Sequence, residues 1–597
     1  MKKTKLELTW PGKEERPRLE PRILLEHPER GHHATARREG DLFDNMLIKG
    51  DNLLALKALE QDYAGKVKCV YIDPPFNTGQ AFQYYDDGLE HSVWLDMMKY
   101  RLEIIWRLLS HDGVLYVHLD IEEVHYLKVY LDELFGRSNF LGQIAYERSG
   151  VSGLGQGGGF LVNTHEYILC YAKTKTSFTA IDIRGGGEIA EKDMRRYNRV
   201  LANVGDRQEV SRFVAPATGE DVVIYKHDNF RIESISLRKF EERKNEIEAE
   251  YVSKLSKVFR GTSIQKENEF QNRIISLCGE GLYSADYLVS RGKRAGERTT
   301  GYFFSKQACV WLSEIASAVD GRLVRTSKLS DFWAHSDIPK ANLANEGGVD
   351  FRRGKKPEEL LSRLLRIGTQ KNDLVLDSFA GSGTTGAVAH KMGRRWIMVE
   401  IGDHADTHVV PRLSNVIDGK DQGGVTKAAE WKGGGGFRYY TLAPSLLERD
   451  AYDNWVIAPE YNGPMLAQAM CKHLGFTYDP SESADEGERI AEWWRHGRSS
   501  ERDFLYVTTQ ALTQDALRLL SEEVGPDRSL LICARAFSGN IDGFENLTCR
   551  KIPASILSKC EWGRDDYSLK IAALPQQEAT DDTPDAGPLF AGEQSNG

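Results

Sequence analysis

At 597 residues the chain is long enough for roughly two to four folding units, and with 41% hydrophobic and 28% charged residues it has the balance of an ordinary globular protein. No apolar run approaches a membrane span, and the opening MKKTKLELTWPGKEE lacks the apolar core of a signal peptide, so a membrane or exported protein is disfavoured and the cytoplasm is expected. Net charge is −10, yet residues 177–356 carry 31 Lys/Arg against 26 Asp/Glu while residues 443–597 carry 14 against 26, so any contact with a polyanion belongs in the middle of the chain.

Residues up to about Asp41 are polar, proline-spotted and locally basic, and read as an arm in which His32-His33 is more simply a solvated loop than a metal pair. Met46-Leu47-Ile48 is a short strand leading into Gly50-Asp51-Asn52, where Asp or Asn can cap a helix from Leu53 to Gln61. Val67 to Gly79 (VKCVYIDPPFNTG) begins as a buried strand and breaks at Asp73-Pro74-Pro75-Phe76, because neither proline can supply a ladder N–H. An ordinary turn would account for the break. The turn also sets a carboxylate, a fixed carbonyl and an aromatic face together at a strand's carboxyl end, where open α/β sheets bind ligands.

Apolar residues at helical spacing from Trp94 to Ser110 predict a helix, ended by Asp112-Gly113 and followed by a strand from Val114 to Leu119 and a helix from Val124 to Phe135. That alternation is the mark of a parallel sheet with helical crossovers. Ser152 to Gly159 (SGLGQGGG) is either a plain flexible loop or a mobile cover over a pocket, and a strand follows from Tyr167 to Tyr171. From about 177 to 340 the alternation stops. Basic clusters (Arg195-Arg196, Arg238-Lys239, Arg243-Lys244, Arg291 to Arg294) mix with aromatics, and Glu241 to Glu250 reads as a charged, solvated helix.

The α/β pattern resumes with Lys355-Lys356-Pro357, a helix from Glu358 to Ile367 with proline in its favoured first position, and Leu374 to Gly386 (LVLDSFAGSGTTG). Strand, Asp377, glycine turn, helix Thr384 to Met392, strand Trp396 to Val399 and terminal Glu400 form the layout of a nucleoside-cofactor half-domain. Gly381-x-Gly383-x-x-Gly386 also fits a dinucleotide fingerprint, so NAD stays open; a Walker phosphate loop is disfavoured because no Gly-Lys-Ser/Thr follows. After Gly433 to Gly436 and Phe437 to Tyr440 comes an acidic α/β-looking unit that contains a strand from Ser529 to Ala534, then a disordered-looking tail. The eight cysteines show no C-x-x-C pair and read as reduced, buried thiols.

Asp73-Pro74-Pro75-Phe76 resembles the DPPY-type motif of amino-group DNA methyltransferases, with Phe for the commoner Tyr, and Phe379-Ala380-Gly381-Ser382-Gly383 resembles their FxGxG motif for S-adenosylmethionine. Catalytic motif first, insertion next and cofactor motif last is the permuted β-class order. With IKGDN, GKKPEELL and GGGGFRYY, residues 41–442 are most similar to the modification subunit of type III restriction–modification systems. The resemblance implies a Rossmann-like α/β methyltransferase sheet with an inserted target-recognition domain and a C-terminal α/β domain. The expected divisions are an arm (1–41), a catalytic half (42–176), target recognition (177–340), a cofactor half (341–442), a C-terminal domain for dimer or partner contacts (443–575) and a tail (576–597).

It further implies Asp73, Pro74, Pro75 and Phe76 as catalytic residues, and Asp51, Asp377, Phe379, Ala380, Gly381, Ser382, Gly383, Thr384 and Glu400 around S-adenosylmethionine, with no metal. Helix capping alone would explain Asp51. The expected reaction is methylation of adenine N6 in double-stranded DNA by a homodimer that accompanies a helicase–nuclease restriction subunit. Cytosine N4 methylation, an NAD(P)-dependent oxidoreductase, a silent DNA-recognition subunit, and an RNA or protein methyltransferase are the competing readings.

Overall fold

The computed structural model describes residues 6–75, 87–148, 163–181, 189, 191–240, 242–291, 295–319, 322–325, 330–338, 343–349, 355–481 and 492–567. Phe76, the loop 152–159, Glu241, residues 292–294 and the tail 576–597 lie outside the described residues. The chain divides into two compact units, Met1–Ile181 with Asp331–Gly597, and Asp182–Ser330.

The first unit is built on an 11-stranded sheet. Six neighbouring strands run parallel, in the order Gly436–Leu442, Asn45–Lys49, Arg395–Glu400, Leu374–Asp377, Val67–Ile72 and Leu109–Leu119. They are near-continuous apolar runs because helices cover both faces. Leu54, Trp94, Leu102 and Leu127 pack on one face with Val70 and Leu376; Leu360, Leu364, Val388 and Leu413 pack on the other with Val375 and Met398.

Chain order reverses in the middle of this sheet. Val375 lies opposite Cys69 and Leu376 opposite Val70, whereas the next strand after Val67–Ile72 is added on one side and the next after Leu374–Asp377 on the other. Such a switch point opens a crevice at the carboxyl ends of the two central strands. Both motifs singled out in the sequence end there.

Several boundaries differ from expectation. The helix Asp87–Leu108 gives way to strand at Leu109, not Val114, and the pairing slips between Val67 and Cys69 to admit the extra residues. Beyond Leu109–Leu119 the parallel run breaks: His165–Ala172 runs antiparallel to it and to Phe140–Glu147, while Phe332–Trp333 pairs in parallel with the latter. Pro357 caps the helix Glu358–Gly368 and does not open its first turn. His32–His33 is a short strand on Gly436–Leu442, with His32 Nε2 2.7 Å from Asp418 Oδ1, so the solvated-loop reading fails. Leu24–Glu26 pairs with the same strand, and Ile23 is fully buried.

A second, five-stranded sheet in this unit holds Asp503–Leu512, Ser529–Phe537 and Leu547–Lys551 in parallel. The unit Asp182–Ser330 is an antiparallel eight-stranded sheet with helices Lys244–Ser253 and Glu269–Ser276. Lys244–Ser253 is not wholly solvated, since Ile247, Glu248 and Tyr251 are buried. All eight cysteines are free, and no helix among the described residues is long and apolar enough to cross a membrane.

Candidate active site

Asp73 is the first residue past the strand Val67–Ile72, and the two prolines after it fix the turn. The Pro75 carbonyl accepts a 2.9 Å hydrogen bond from Nε1 of Trp94, a buried residue of Asp87–Leu108, so the far side of the turn is pinned by a helix. Asp73 Oδ1 lies 3.4 Å from Lys356 Nζ. The same ammonium is 2.9 Å from Glu166 Oε2, which is 2.8 Å from His118 Nε2; the other ring nitrogen of His118 is 2.9 Å from the Tyr71 hydroxyl.

Burial pushes the Asp73 carboxyl up from its ordinary value while Lys356 opposes the shift. Burial would also raise Glu166, but His118 and Lys356 overcome it and hold that carboxylate well below the usual range. Burial works against the charge of Lys356 as well, yet its two carboxylate neighbours leave the ammonium raised. An ion cluster this deep survives only because each charge has a partner.

Asp377 ends the neighbouring strand and is buried. It accepts hydrogen bonds from the Phe379 N–H at 2.9 Å and the Thr385 hydroxyl at 2.5 Å, which tie the turn to the helix Thr384–Lys391. Burial pushes its carboxyl up to about 7, against those two donors. Gly383 has φ of 75°, and a Cβ there would come 2.8 Å from Val409 Cγ1, so both conformation and space call for glycine. At Gly386 a Cβ would meet Met398 Cε at 2.4 Å: its bareness lets the helix lie close on Arg395–Glu400.

Glu400, at the end of that strand, accepts from the Gly381 N–H at 2.7 Å and the Gly402 N–H at 2.9 Å, and His404 Nε2 is 3.1 Å away. Beneath the loop, Arg412 donates to Thr384 Oγ1 at 2.8 Å and to the Ser382 carbonyl at 3.2 Å while pairing with Glu358 at 2.9 Å. Ser382 and Thr384 are therefore held from below. The Ala380 N–H is bonded to the Val399 carbonyl at 3.1 Å.

Asp51 is committed to structure. Its Oδ1 accepts from Leu53 and Leu54 N–H at 2.9 and 3.1 Å as the cap of Asn52–Tyr63, and its Oδ2 accepts from Tyr567 N–H at 2.9 Å. It shapes the wall of the site by holding that helix. The neighbouring Asn52 donates to the Ser378 carbonyl at 2.7 Å, joining the two halves of the chain.

Asp51, Asp73, Pro74, Asp377, Phe379 and Glu400 all line one cavity of about 440 Å³. That size suits a nucleoside-sized ligand. Gly381, Ser382, Thr384 and Ala380 line it too, so every proposed site residue within the described part except Gly383 borders one space. The N–H groups of Phe379, Ala380, Gly381 and Gly383 are taken by acceptors of the protein, so the carboxylates of Asp377 and Glu400 are the acceptors this side of the cavity offers to ribose hydroxyls or a cationic amino-acid tail. Glu166, near the start of His165–Ala172, and His118, near the end of Leu109–Leu119, carry no motif of their own in the sequence, where Lys356 is only the approach to a helix.

A family model described as DNA methylase, of the N6/N4 kind, matches residues 67–408 of the 597. Among similar proteins, a probable type III restriction-modification enzyme HindVI Mod subunit from Haemophilus influenzae is 36% identical over 423 residues, covering 68% of this chain and 55% of its own length. The EcoPI Mod subunit of Escherichia phage P1 is 30% identical over 439 residues, covering 65% of this chain and 62% of its own. The EcoP15I Mod subunit of Escherichia coli is 23% identical over 611 residues, with 88% and 86% covered. The matched stretch thus spans little more than half the length of the first two.

Proposed function

This chain belongs to the DNA methylase family, and from that premise we propose that it transfers a methyl group from S-adenosylmethionine to adenine N6 in duplex DNA, as the modification and specificity subunit of a type III restriction–modification system. The observation that carries the reading is that Asp73 and Asp377 end adjacent parallel strands and border one cavity with Glu400. Membership in this family leaves the nicotinamide reading of the glycine loop without support. Three of the similar proteins are named as Mod subunits of type III enzymes, which supports the choice of system.

S-adenosylmethionine supplies a methyl group made electrophilic by its sulfonium. Glu400 would accept hydrogen bonds from the ribose hydroxyls, and the loop Phe379 to Gly383, whose N–H groups at 379, 380, 381 and 383 are held by the protein itself, would pack against the nucleoside. The exocyclic nitrogen of adenine is a poor nucleophile because its lone pair is delocalised into the ring. Asp73 and the Pro74 carbonyl accept its two hydrogens, which draws the nitrogen toward tetrahedral geometry and frees the pair. Phe76 stacks on the base, which leaves the helix to reach the pocket. Transfer forms the nitrogen–methyl bond, breaks the methyl–sulfur bond with its electron pair left on sulfur, and releases one amino proton.

Target choice is assigned to residues 177–340, whose excess of Lys and Arg suits phosphate and base contacts. The active form is read as a homodimer serving a helicase–nuclease partner, which light scattering of the protein with and without that partner checks. Digesting DNA treated with the protein and S-adenosylmethionine, then identifying the modified nucleoside, tests the reaction. N6-methyladenine is expected; N4-methylcytosine would transfer the same machinery to the other amino base, and no methylated base would reject the reading.

A further inference from the structure

Four segments meet in one ion cluster around the Lys356 ammonium, which contacts two carboxylates directly while His118 joins through Glu166. Lys356 stands before the helix Glu358–Gly368, Asp73 follows Val67–Ile72, Glu166 lies on His165–Ala172 and His118 on Leu109–Leu119. Lys356 Nζ reaches Asp73 Oδ1 at 3.4 Å and Glu166 Oε2 at 2.9 Å, and its backbone carbonyl accepts from the Thr384 hydroxyl at 3.3 Å. One residue therefore touches both the Asp-Pro-Pro turn and the head of the cofactor helix. Exchanging such a buried ion cluster for apolar side chains is often neutral or stabilising, so stability alone does not call for it.

We propose that Lys356, braced by Glu166, is a positioning residue for methyl transfer: it holds Asp73 by Oδ1 and leaves Oδ2 as the acceptor for the exocyclic amino group. The inference rests on the function proposed above and deepens it. Among the described residues Lys356, His118, Glu166, Tyr71 and Asp377 are the titratable groups that face Asp73, and Arg148 reaches the far oxygen of Glu166 at 3.5 Å. After burial, which raises the Asp73 carboxyl, Lys356 is the main opposing influence, ahead of His118, while Glu166 pushes the same way as burial. Lys356 and Glu166 thus act on Asp73 with opposite sign.

The test is the pH dependence of kcat and of KM for DNA with the full chain, as wild type, Lys356→Met, Lys356→Arg and Glu166→Gln, alongside cofactor affinity by calorimetry. Lys356→Met strips the counter-charge, so the acid limb of kcat moves up by about one pH unit or more. Its rate near neutral pH falls at least about tenfold while KM stays within about twofold, as for an interaction made chiefly in the transition state. Lys356→Arg recovers part of that loss. Glu166→Gln keeps the shape and removes a like charge, so its acid limb moves down. A limb that stays in place in Glu166→Gln, or that moves the same way in both variants, overturns the proposal. A wild type inert on all DNA would instead reject the reading of the site as a DNA methylase, and this inference with it.

Discussion

Asp377 and Phe76 carry the predictions that single side chains allow. Burial raises the Asp377 carboxyl to about 7, and its unfolded value is the ordinary one of about 3.9. The folded protein then holds the extra proton between about pH 4 and 7, so the contribution of this group to stability is lost as pH rises through that window. Asp377→Asn keeps an acceptor for the Phe379 N–H and cannot ionise. Its melting temperature will fall less than that of the wild type between about pH 5 and 8; parallel curves would show that Asp377 is charged throughout. Phe76→Ala removes a stacking face worth about 1–3 kcal/mol per base. That loss will appear as a smaller fluorescence gain from 2-aminopurine placed at the target, and Phe76→Tyr will restore it. An undiminished gain in Phe76→Ala would remove the ring from base capture.

At the level of elements, the site depends on how tightly one short helix starts. Gly383 precedes Thr384–Lys391 in a left-handed conformation against Val409. Gly383→Ala therefore costs about 1–2 kcal/mol in backbone strain alone, with the clash at Val409 added. Both melting temperature and cofactor affinity will drop, and an unchanged calorimetric titration would show that the turn tolerates a side chain. This turn was legible in the sequence because glycines after a strand and an acid mark a special conformation by themselves. The Asp73-Pro74-Pro75 turn was legible for the same kind of reason, since two successive prolines cannot continue a central strand. The start of Leu109–Leu119 was not: Leu108 and Leu109 continue the apolar spacing of the helix, and only pairing with Val67–Ile72 shows where helix ends. Nor was the Lys356–Glu166–His118 cluster, because its members share no segment and meet only through the strand order.

In the whole molecule, stretches of chain about 300 residues apart border one cavity, and target choice is proposed for what lies between them. Exchanging residues 177–340 for the corresponding segment of a related enzyme will change the methylated sequence and leave cofactor affinity as it was. An unchanged target after the exchange would move recognition elsewhere in the chain. The C-terminal residues are not a detached appendix to the first unit. Tyr567 N–H bonds the Asp51 carboxylate, and the Tyr567 carbonyl accepts from Arg101 at 3.2 Å, beside the cavity. The central claim is that Asp73 acts on the base while Glu400 holds the cofactor within one space. The most direct measurement is single-turnover methyl transfer, with cofactor affinity determined on the same samples of wild type, Asp73→Ala and Glu400→Ala. Loss of a hydrogen-bond partner to a charged group is worth about 1.5–3 kcal/mol. Asp73→Ala will therefore bind S-adenosylmethionine normally and transfer at least about tenfold more slowly, whereas Glu400→Ala will lose affinity first. Transfer at the wild-type rate by Asp73→Ala would contradict the account.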